Sequence, residues 1–492
     1  MENKKTVRYK LVRHKWPDEV EAEKKKRNRR IATVTFCIVC FCLGFFASNL
    51  YHGNSSNNSF ASEKFDTIYQ IMKNEWYFGK DSKKLDEQLM SGAIEGMVNS
   101  GGDIHTRYMD ADVSKSFASS LEGHFYGIGI QYYKGNDQFI VDRVFLGSPA
   151  QEVGIVKGDI IHKVEDKTLE KYTSDEVSKL IKGKSGTTVK IEVLRENKAI
   201  EFNVERREVN NSVFGEVKDQ IGILEISSFA DTTGEEVGQY LKNFQKQGVK
   251  KLVIDLRDNG GGYLVAAVDI ASYLLEEGKT IFKQENIKGE ITPYYVKENT
   301  NHFKYDDIAI LVNGDTASAS EVLAACLREQ VGAKLIGTKT YGKGTIQITA
   351  PFKDNSTLKY TTGEWLTSKG KKINGKGLQP DIKISLDEAL MTRVPQMKKD
   401  VSVKVDSVST VAKVAQIHLG FLGYDVDRKD EYFSYKGSAA LKQYQRDKGL
   451  EVTGEINNEV LNSLLSSSAL KWREEESQLD LQMQKAFEVL HG

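Results

Sequence analysis

Residues 313–347 read NGDTASASEVLAACLREQVGAKLIGTKTYGKGTIQ and predict a helix, a strand and a loop in succession. The apolar run 308–312 just before them is typical of a buried strand. The helix is predicted to begin at about Ala319 and to end at Gly332, since glycine commonly terminates helices. A short strand then returns to a glycine-rich loop that carries Lys343. This stretch therefore predicts an α/β unit with a serine-rich turn at one end.

The strand and loop after the predicted helix are long enough to return Lys343 to a position beside Ser318, at the start of that helix. The helix spans about 18 Å at about 1.5 Å per residue, and the returning strand and loop cover about 3.4 Å per residue. A serine hydroxyl becomes a good nucleophile when a neighbouring base takes its proton, and a desolvated lysine can be that base. The free N–H groups of a helix start also suit a developing oxyanion.

Two other interpretations fit parts of the same stretch. Ser318-x-x-Glu321 is also a capping box, which is usually a structural feature. Residues 337–343 match the phosphate-binding pattern G-x-x-x-x-G-K, but Gly344 stands where that loop needs Ser or Thr. Residues 345–349 alternate like a strand, whereas a phosphate-binding loop opens a helix. Phosphate binding is therefore rejected, and the capping box remains an alternative to catalysis.

The motifs T-A-S-A-S-E and Y-G-K-G-T-I-Q resemble the active-site pattern of the C-terminal processing peptidases, also called tail-specific proteases. That family uses a serine–lysine dyad. The resemblance implies that Ser318 is the nucleophile and Lys343 the general base. It further implies that Gln347 helps to hold the lysine and that Glu321 is the nearby acidic residue.

Residues 255–262 read DLRDNGGG and resemble the family's D-L-R-x-N-x-G-G loop. In the family this loop provides an amide of the oxyanion hole. The resemblance implies that Gly261 or Gly262 supplies it, with the N–H of Ala319 as its partner. Strands and helices alternate through this region, which favours an α/β core. The resemblance implies a crotonase/Clp-like protease fold.

A stretch from Phe125 to about Arg206 resembles a PDZ domain, a module that binds the C-termini of peptides. Consecutive N–H groups at glycines can cradle a terminal carboxylate, and an extended peptide can add to the edge of the sheet. Lys182 departs from the family, which often has arginine there, and lysine lacks the bidentate fork. The predicted peptide-binding residues are Phe125, Tyr126, Gly127, Ile128, Gly129 and Ile130.

The segment Ile31 to Leu50 carries no charge over 20 residues, which is long enough to span a bilayer. A basic run at 24–30 precedes it, so the positive-inside rule predicts a single-pass anchor with a cytoplasmic N-terminus and an extracytoplasmic catalytic part. A cleaved signal peptide is the alternative. Three of the four cysteines fall in this segment, which leaves Cys326 alone and excludes a disulfide framework within one ectodomain.

The formal net charge is zero but unevenly distributed. Residues 1–30 hold 12 Lys/Arg against 5 Asp/Glu, a net +7, so the remainder (57 against 64) is −7. An acidic ectodomain without a dense basic cluster gives no support for nucleic-acid binding. No metal-ligand spacing and no nucleotide motif stands out, so neither a metal nor a cofactor is expected.

Residues after the core predict a small helical domain with Gln416, Leu422-Gly423-Tyr424 and Thr453-Gly454-Glu455 at positions that resemble a peptidoglycan-binding domain. A generic three-helix domain that serves assembly is the alternative. The stretch Leu470 to Leu490 is expected to form one final amphipathic helix, with homodimer contacts as a candidate use.

The resulting fold class is a multidomain α+β protein with a crotonase/Clp-like α/β serine protease core, an inserted PDZ domain, an N-terminal transmembrane helix and a small C-terminal helical domain. The predicted boundaries are a cytoplasmic basic arm (1–30), transmembrane helix (31–50), linker (51–62), N-terminal helical region (63–115), PDZ domain (116–207), protease core (208–390), second linker (391–409), peptidoglycan-binding-like domain (410–466) and C-terminal helical tail (467–492).

The leading hypothesis is a membrane-anchored serine endopeptidase that selects protein substrates by their exposed C-terminal tails, with peptidoglycan as a second candidate partner. A non-catalytic PDZ adaptor at the cell envelope is the alternative from another class. Intact Ser318, Lys343 and Gln347 argue against it. A Ser–His–Asp hydrolase is weaker still, because none of the eight histidines lies in a matching motif.

Overall fold

The computed structural model describes residues 59–122, 124–135, 137–298, 300–395, 397 and 402–492. The basic arm and the predicted transmembrane segment at 31–50 lie outside these ranges. No helix within them combines the length and the apolar character that crossing a lipid bilayer requires. The chain forms two compact units, one ending at Met97 and the other running from Val98 to Gly492.

The described residues of the first unit are mostly helical. Helix α1 (Ser59–Asn74) is followed by a 3-10 turn and by α2 (Leu85–Asn99). The carboxylate of Asp86 accepts hydrogen bonds from the Tyr69 hydroxyl at 3.1 Å and from the Lys73 ammonium at 2.6 Å. One acidic side chain at the start of α2 therefore joins it to α1.

The PDZ domain follows a short lead-in and is built on a six-stranded antiparallel sheet. Its strand order is β3-β4-β5-β7-β8, with β6 paired to β5, so β3 forms one edge. Alternate residues of β7 (Val189, Ile191 and Val193) are fully buried, as expected for a strand with one face on the core. The elements are β1 (Arg107–Met109), α3 (Ala111–Glu122), β2 (His124–Gly127), β3 (Ile130–Gly135), β4 (Gln138–Val144), α4 (Pro149–Val153), β5 (Ile160–Val164), β6 (Lys167–Thr168), α5 (Ser174–Ile181), β7 (Thr188–Arg195), β8 (Lys198–Glu205) and β9 (Arg207–Asn210).

The protease core is centred on a second six-stranded sheet of order β10-β11-β12-β15-β16-β19. Strands β11 to β19 in this order run parallel, and β10 pairs antiparallel at the edge. The elements are β10 (Val213–Lys218), β11 (Ile221–Ile226), α6 (Thr233–Lys246), β12 (Lys251–Asp255), α7 (Leu264–Leu274), β13 (Thr280–Asn286), β14 (Ile291–Tyr295), β15 (Asp307–Val312), α8 (Ala319–Val331), β16 (Lys334–Gly337), β17 (Thr345–Pro351), β18 (Thr357–Thr367) and β19 (Ile382–Lys383).

Both faces of the parallel sheet are covered, as its continuous apolar strands require. Side chains such as Ile254 and Ile310 pack against α6, α7 and α8 on one face. Their sequence neighbours, among them Val253 and Leu311, pack on the other face against residues of the C-terminal segment that include Leu490. The predicted buried strands and the helix α8 are confirmed, including the left-handed Gly332 that ends the helix.

An antiparallel sheet lies beside the parallel one. It includes β1, so it joins the segment that precedes the PDZ sheet to the core. Its order is β1-β18-β13-β14, with β17 also paired to β18. Strand β1 pairs with β18 through Arg107 opposite Lys359. This pairing places the segment around residues 103–109 next to the loop that carries Lys343.

The C-terminal region adds a small helical domain and a tail. The elements are α9 (Glu388–Met391), β20 (Ser407–Val408), α10 (Thr410–Phe421), β21 (Tyr432–Phe433), α11 (Tyr435–Asp447), α12 (Asn458–Glu474), α13 (Glu476–Leu479) and α14 (Leu481–His491).

The expected single helix from Leu470 to Leu490 is wrong. The helical conformation is interrupted at Glu475 and again at Asp480. The Asp480 side chain caps the next helix by accepting a hydrogen bond from the Met483 amide at 2.9 Å. The apolar face of α14 is buried against the protease sheet of its own chain, so it is not available for dimer contacts.

We predict that Leu490→Ala destabilises the protease core by about 2–5 kcal/mol, because it opens a cavity under the sheet. Leu490 is 2% exposed, whereas Leu481 on the same helix is 49% exposed. Leu481→Ala is therefore the matched control and should cost little. Urea unfolding of both variants measures the difference, and equal midpoints would contradict the packing of α14 as part of the core.

Candidate active site

Ser318 lies at the start of α8, just after the turn that follows β15. Its φ and ψ angles are 57° and −118°. These are the angles of the first central residue of a type II′ turn, where glycine is favoured because a side chain crowds the backbone. The residue is 8% exposed. Ser318 is thus strained and largely buried, and the surrounding contacts must hold it in place.

Asn259 anchors the serine turn to the glycine loop. Its carbonyl oxygen accepts hydrogen bonds from the Ala317 amide at 3.0 Å and from the Ser320 hydroxyl at 2.9 Å. Its buried side chain donates to the Ile226 carbonyl at 2.6 Å and accepts from the Gly261 amide at 2.9 Å. Sequence reasoning gave Asn259 no role, although its place in the D-L-R-x-N-x-G-G pattern was an available signal.

Glu321 joins the serine turn to the lysine loop. One of its oxygens accepts from the backbone amides of Ser318 at 3.0 Å and Lys343 at 2.9 Å. The other accepts from the Gly342 amide at 2.8 Å and the Thr340 hydroxyl at 2.5 Å. Ser318 and Lys343 are thus brought to one carboxylate oxygen, in agreement with the chain-reach argument.

The backbone of the lysine loop is fixed on several sides. The Tyr341 amide donates to the Thr316 carbonyl at 3.0 Å, and the Trp365 indole N–H donates to the Lys343 carbonyl at 2.8 Å. At Gly377, whose φ is 65°, an added Cβ would lie 2.3 Å from the Thr340 carbonyl oxygen. The close approach of these two chain segments therefore requires glycine.

The Lys343 side chain lies in an environment that favours its neutral form. Burial lowers the pKa of Lys343 below its ordinary value of 10.5, and the positive charge of Lys359 lowers it further, against the opposing charges of Asp103 and Glu321. Within the described residues no hydrogen bond joins the Ser318 hydroxyl to the Lys343 amine. A partly desolvated amine without a carboxylate partner is suited to accept a proton.

Gln347 lies next to this cluster but bonds elsewhere. Its side-chain amide donates to the hydroxyls of Thr345 at 2.8 Å and Thr361 at 3.2 Å. Thr361 in turn donates to the Asp103 carboxylate at 2.6 Å. Hydrogen bonds from Thr106, Thr361 and the His105 amide hold the pKa of Asp103 at about 2, despite the opposing effect of burial. That Gln347 supports the lysine stays a prediction.

Gly261 lies directly against Ser318. A Cβ at Gly261 would lie 2.8 Å from the Ser318 Cβ and 3.0 Å from the Ala319 nitrogen. The Gly261 amide already donates to Asn259, whereas the Ala319 amide opens α8 and has no intrahelical acceptor. A Cβ at Gly262 would lie 2.2 Å from the Phe229 carbonyl oxygen, so this position also requires glycine.

The predicted peptide-binding residues of the PDZ domain divide between two strands and the loop between them. Residues Phe125 to Gly127 belong to β2, which pairs with β9, and Ile130 begins the edge strand β3. In the loop at Ile128 and Gly129 the backbone packs closely against Ser148, since a Cβ at Gly129 would lie 2.2 Å from the Ser148 Cβ. The Lys182 ammonium lies over the Phe125 ring, 5.4 Å from its centroid, so a positive charge flanks this loop.

We predict that Ser318→Gly is more stable than Ser318→Ala by about 1 kcal/mol, because only glycine adopts these backbone angles without strain. Both variants lack the hydroxyl and should be inactive. Thermal and urea unfolding of the two purified variants provides the measurement. If the alanine variant is as stable as the glycine variant, the turn at Ser318 is not strained as described.

Profiles of four known families match the chain. Peptidase family S41 matches residues 220–384, a PDZ domain matches 127–205 and a peptidoglycan-binding domain matches 411–464. The N-terminal domain of the activating protease CtpB matches residues 47–113. The matches follow one another along the chain in the order of the regions inferred above.

Relatives similar over almost the whole chain include a "Probable CtpA-like serine protease" of Staphylococcus aureus (strain N315), which is 34% identical over 450 residues, 91% of this chain and 89% of that protein. A protein of the same name from Staphylococcus haemolyticus (strain JCSC1435) is 36% identical over 415 residues, 83% of this chain and 82% of that protein.

Among solved structures, the photosystem II D1 C-terminal processing protease is similar to the chain with 23% identity and a TM-score of 0.38, covering 68% of this chain and 94% of that one. The sequence relationships alone settle the assignment, because they extend over 91% of the chain. The chain belongs to the S41 family of serine peptidases, as a CtpA-like C-terminal processing protease with PDZ and peptidoglycan-binding domains.

Proposed function

We propose that this serine peptidase uses a Ser318–Lys343 dyad to cleave peptide bonds in proteins that it selects by their exposed C-terminal tails. The observation that carries the proposal is the attachment of both backbone amides to one oxygen of Glu321. This attachment brings a serine at a helix start and a half-buried lysine into one site. Both residue types are needed for acyl transfer without histidine.

The proposed reaction begins when the Ser318 hydroxyl oxygen attacks the scissile carbonyl carbon. The neutral Lys343 amine takes the hydroxyl proton in the same step. The negative charge that develops on the carbonyl oxygen is stabilised by the Ala319 amide, with Gly262 as the candidate second donor. Lys343 then returns the proton to the leaving amine as the C–N bond breaks. Water hydrolyses the resulting ester by the same steps and frees Ser318.

The Gly261 amide, predicted as an oxyanion donor, is a weaker candidate than Gly262 because it donates to Asn259. Gly261 instead supports the site by its close approach to Ser318, which leaves no room for a side chain. A substrate that covers the site would exclude water from Lys343. Further loss of water favours the neutral amine, so substrate binding itself would promote proton transfer.

We predict that kcat/KM rises with pH to an alkaline plateau, because the fraction of neutral Lys343 grows as the pH passes through its pKa. The direction follows from the lowered pKa of Lys343, which burial causes first and Lys359 second. Lys343→Arg should lose about 10²–10⁴-fold of the activity, since arginine stays charged and cannot serve as the base. Ser318→Ala sets the background rate. A fully active Lys343→Arg enzyme would contradict the proposed Ser318–Lys343 dyad.

A pair of variants with opposite charge effects checks the same proposal. Lys359→Gln removes the positive charge that lowers the Lys343 pKa. The rising limb of the profile of kcat/KM against pH should therefore move to higher pH. Asp103→Asn removes a negative charge that raises this pKa, so the limb should move to lower pH. Shifts in the same direction would exclude Lys343 as the titrating group.

Recognition of substrate tails is proposed to occur at the edge strand β3 and the loop at Ile128 and Gly129. An added peptide strand could pair with β3, and its carboxylate would lie near the glycine loop. The ammonium of Lys182 lies beside this loop, where it would attract the carboxylate. In this proposal Lys182 supplies the charge of the family's arginine without its bidentate geometry.

We predict that peptides with a free apolar C-terminus bind more tightly than the same peptides with an amidated terminus. Lys182→Met should weaken binding of the free acid up to about fivefold, as expected for an exposed ion pair. Binding of the amide should not change. Lys184→Met in the same exposed turn is the control. Equal affinity for acid and amide by calorimetric titration would rule out carboxylate capture.

Location outside the cytoplasm is proposed from the uncharged segment 31–50 and the basic run before it. Peptidoglycan is proposed as a second partner because residues 411–464 match a peptidoglycan-binding domain. The buried glutamines of that domain, Gln416 and Gln445, bond to nearby backbone and side-chain groups and so stabilise its loops. We therefore expect any contact with the cell wall to involve the exposed surface of this domain.

A further inference from the structure

A buried ion cluster joins the C-terminal tail to the glycine loop of the core. The Arg257 guanidinium binds Asp255 at 2.6 Å and Asp480 at 2.8 Å. Both aspartates are buried, and the Arg257 side chain is only 11% exposed. Asp480 receives two parallel hydrogen bonds from Arg257, at 2.9 and 2.8 Å. Such bidentate pairs fix the orientation of the guanidinium as well as its charge. The pair connects positions 223 residues apart in the chain.

Arg257 stands two residues before Asn259, which supports the serine turn. Between them Asp258 has a φ of 59°, a left-handed conformation that is uncommon for non-glycine residues, although aspartate adopts it more readily than most. Its amide donates to the Asn313 side chain at 3.0 Å, and its carboxylate accepts from that side chain at 2.8 Å. The shape of the loop 257–262 therefore depends on contacts at both of its ends.

Helix α14 is itself held firmly on the sheet. Gln482 accepts from Arg257 at 3.2 Å and donates to the Ile384 carbonyl at 2.8 Å. At the other end of the helix, Lys251 donates to the Leu490 carbonyl. Together with the apolar face under the sheet, these contacts give Asp480 a fixed position from which to hold Arg257.

We propose that Asp480 and the tail helix that it caps are positioning elements of the active site, which hold the loop 257–262 against Ser318 through Arg257. This inference rests on the proposed function, because it gives the loop a role in catalysis. A buried ion pair contributes little net stability relative to apolar packing, but it orients its partners closely. The tail therefore completes the peptidase site from a part of the chain beyond the peptidoglycan-binding domain.

The test uses the full-length protein with Asp480→Asn and Arg257→Lys. Asparagine keeps the N-cap of α14 and loses the charge that orients Arg257, while lysine keeps the charge and loses the fork. Glu488→Gln is the control, since Glu488 lies on the same helix and pairs only with the exposed Lys485 among the described ion pairs. Hydrogen exchange of the peptide 256–263, kcat, KM and the melting temperature are measured for each.

Both test variants should exchange the amides of residues 258–262 faster and lose about tenfold in kcat at similar KM. Their melting temperatures should fall, because each variant leaves a buried charge less well paired, so kcat and exchange are measured well below those temperatures. The loss in kcat is smaller than the ~10²–10³-fold expected for removing an oxyanion donor outright. The control should match the wild type. Unchanged exchange in both variants, or faster exchange with unchanged kcat, would overturn the proposal. If the wild type has a kcat no higher than that of Ser318→Ala, the proposed function is refuted instead. Hydrogen exchange would then still report on the contact between Arg257 and Asp480.

Discussion

The buried carboxylate of Glu321 is the interaction on which the arrangement of the site depends. Burying a charge is costly unless hydrogen bonds replace the lost water, and Glu321 receives four of them. Burial raises the pKa of Glu321 and the four donors oppose that change. It lies in the first turn of α8, where the helix dipole also favours negative charge. The strain at Ser318 is thus offset by a contact that fixes Lys343 as well.

The position of the site follows from the parallel sheet. Strands β12, β15 and β16 are neighbours, so their carboxyl ends meet at one edge. Asn259 follows the first, Ser318 the second and the Lys343 loop the third. Each loop bonds to the next, through the Asn259 carbonyl and through Glu321. The antiparallel sheet then adds Trp365, whose indole N–H donates to the Lys343 carbonyl.

Much of this could be predicted from sequence because it is local. The apolar run 308–312, the stop at Gly332 and the spacing from Ser318 to Lys343 all depend on residues near one another in the chain. Contacts between distant segments left no such pattern, and the pair Arg257–Asp480 is an example. The break at Asp480 was missed because apolar periodicity from Leu470 to Leu490 continues across it, while the residue serves as a cap.

The contacts of Lys343 explain how a lysine can be held in place and still be suited to the proposed role of base. A carboxylate bonded to its amine would stabilise the charged form and keep the proton there. Both oxygens of Glu321 are instead occupied by backbone amides and the Thr340 hydroxyl. The loop is anchored through the Lys343 amide and carbonyl, and no described ion pair involves its side chain. The backbone therefore positions the amine, while burial and Lys359 favour its neutral form.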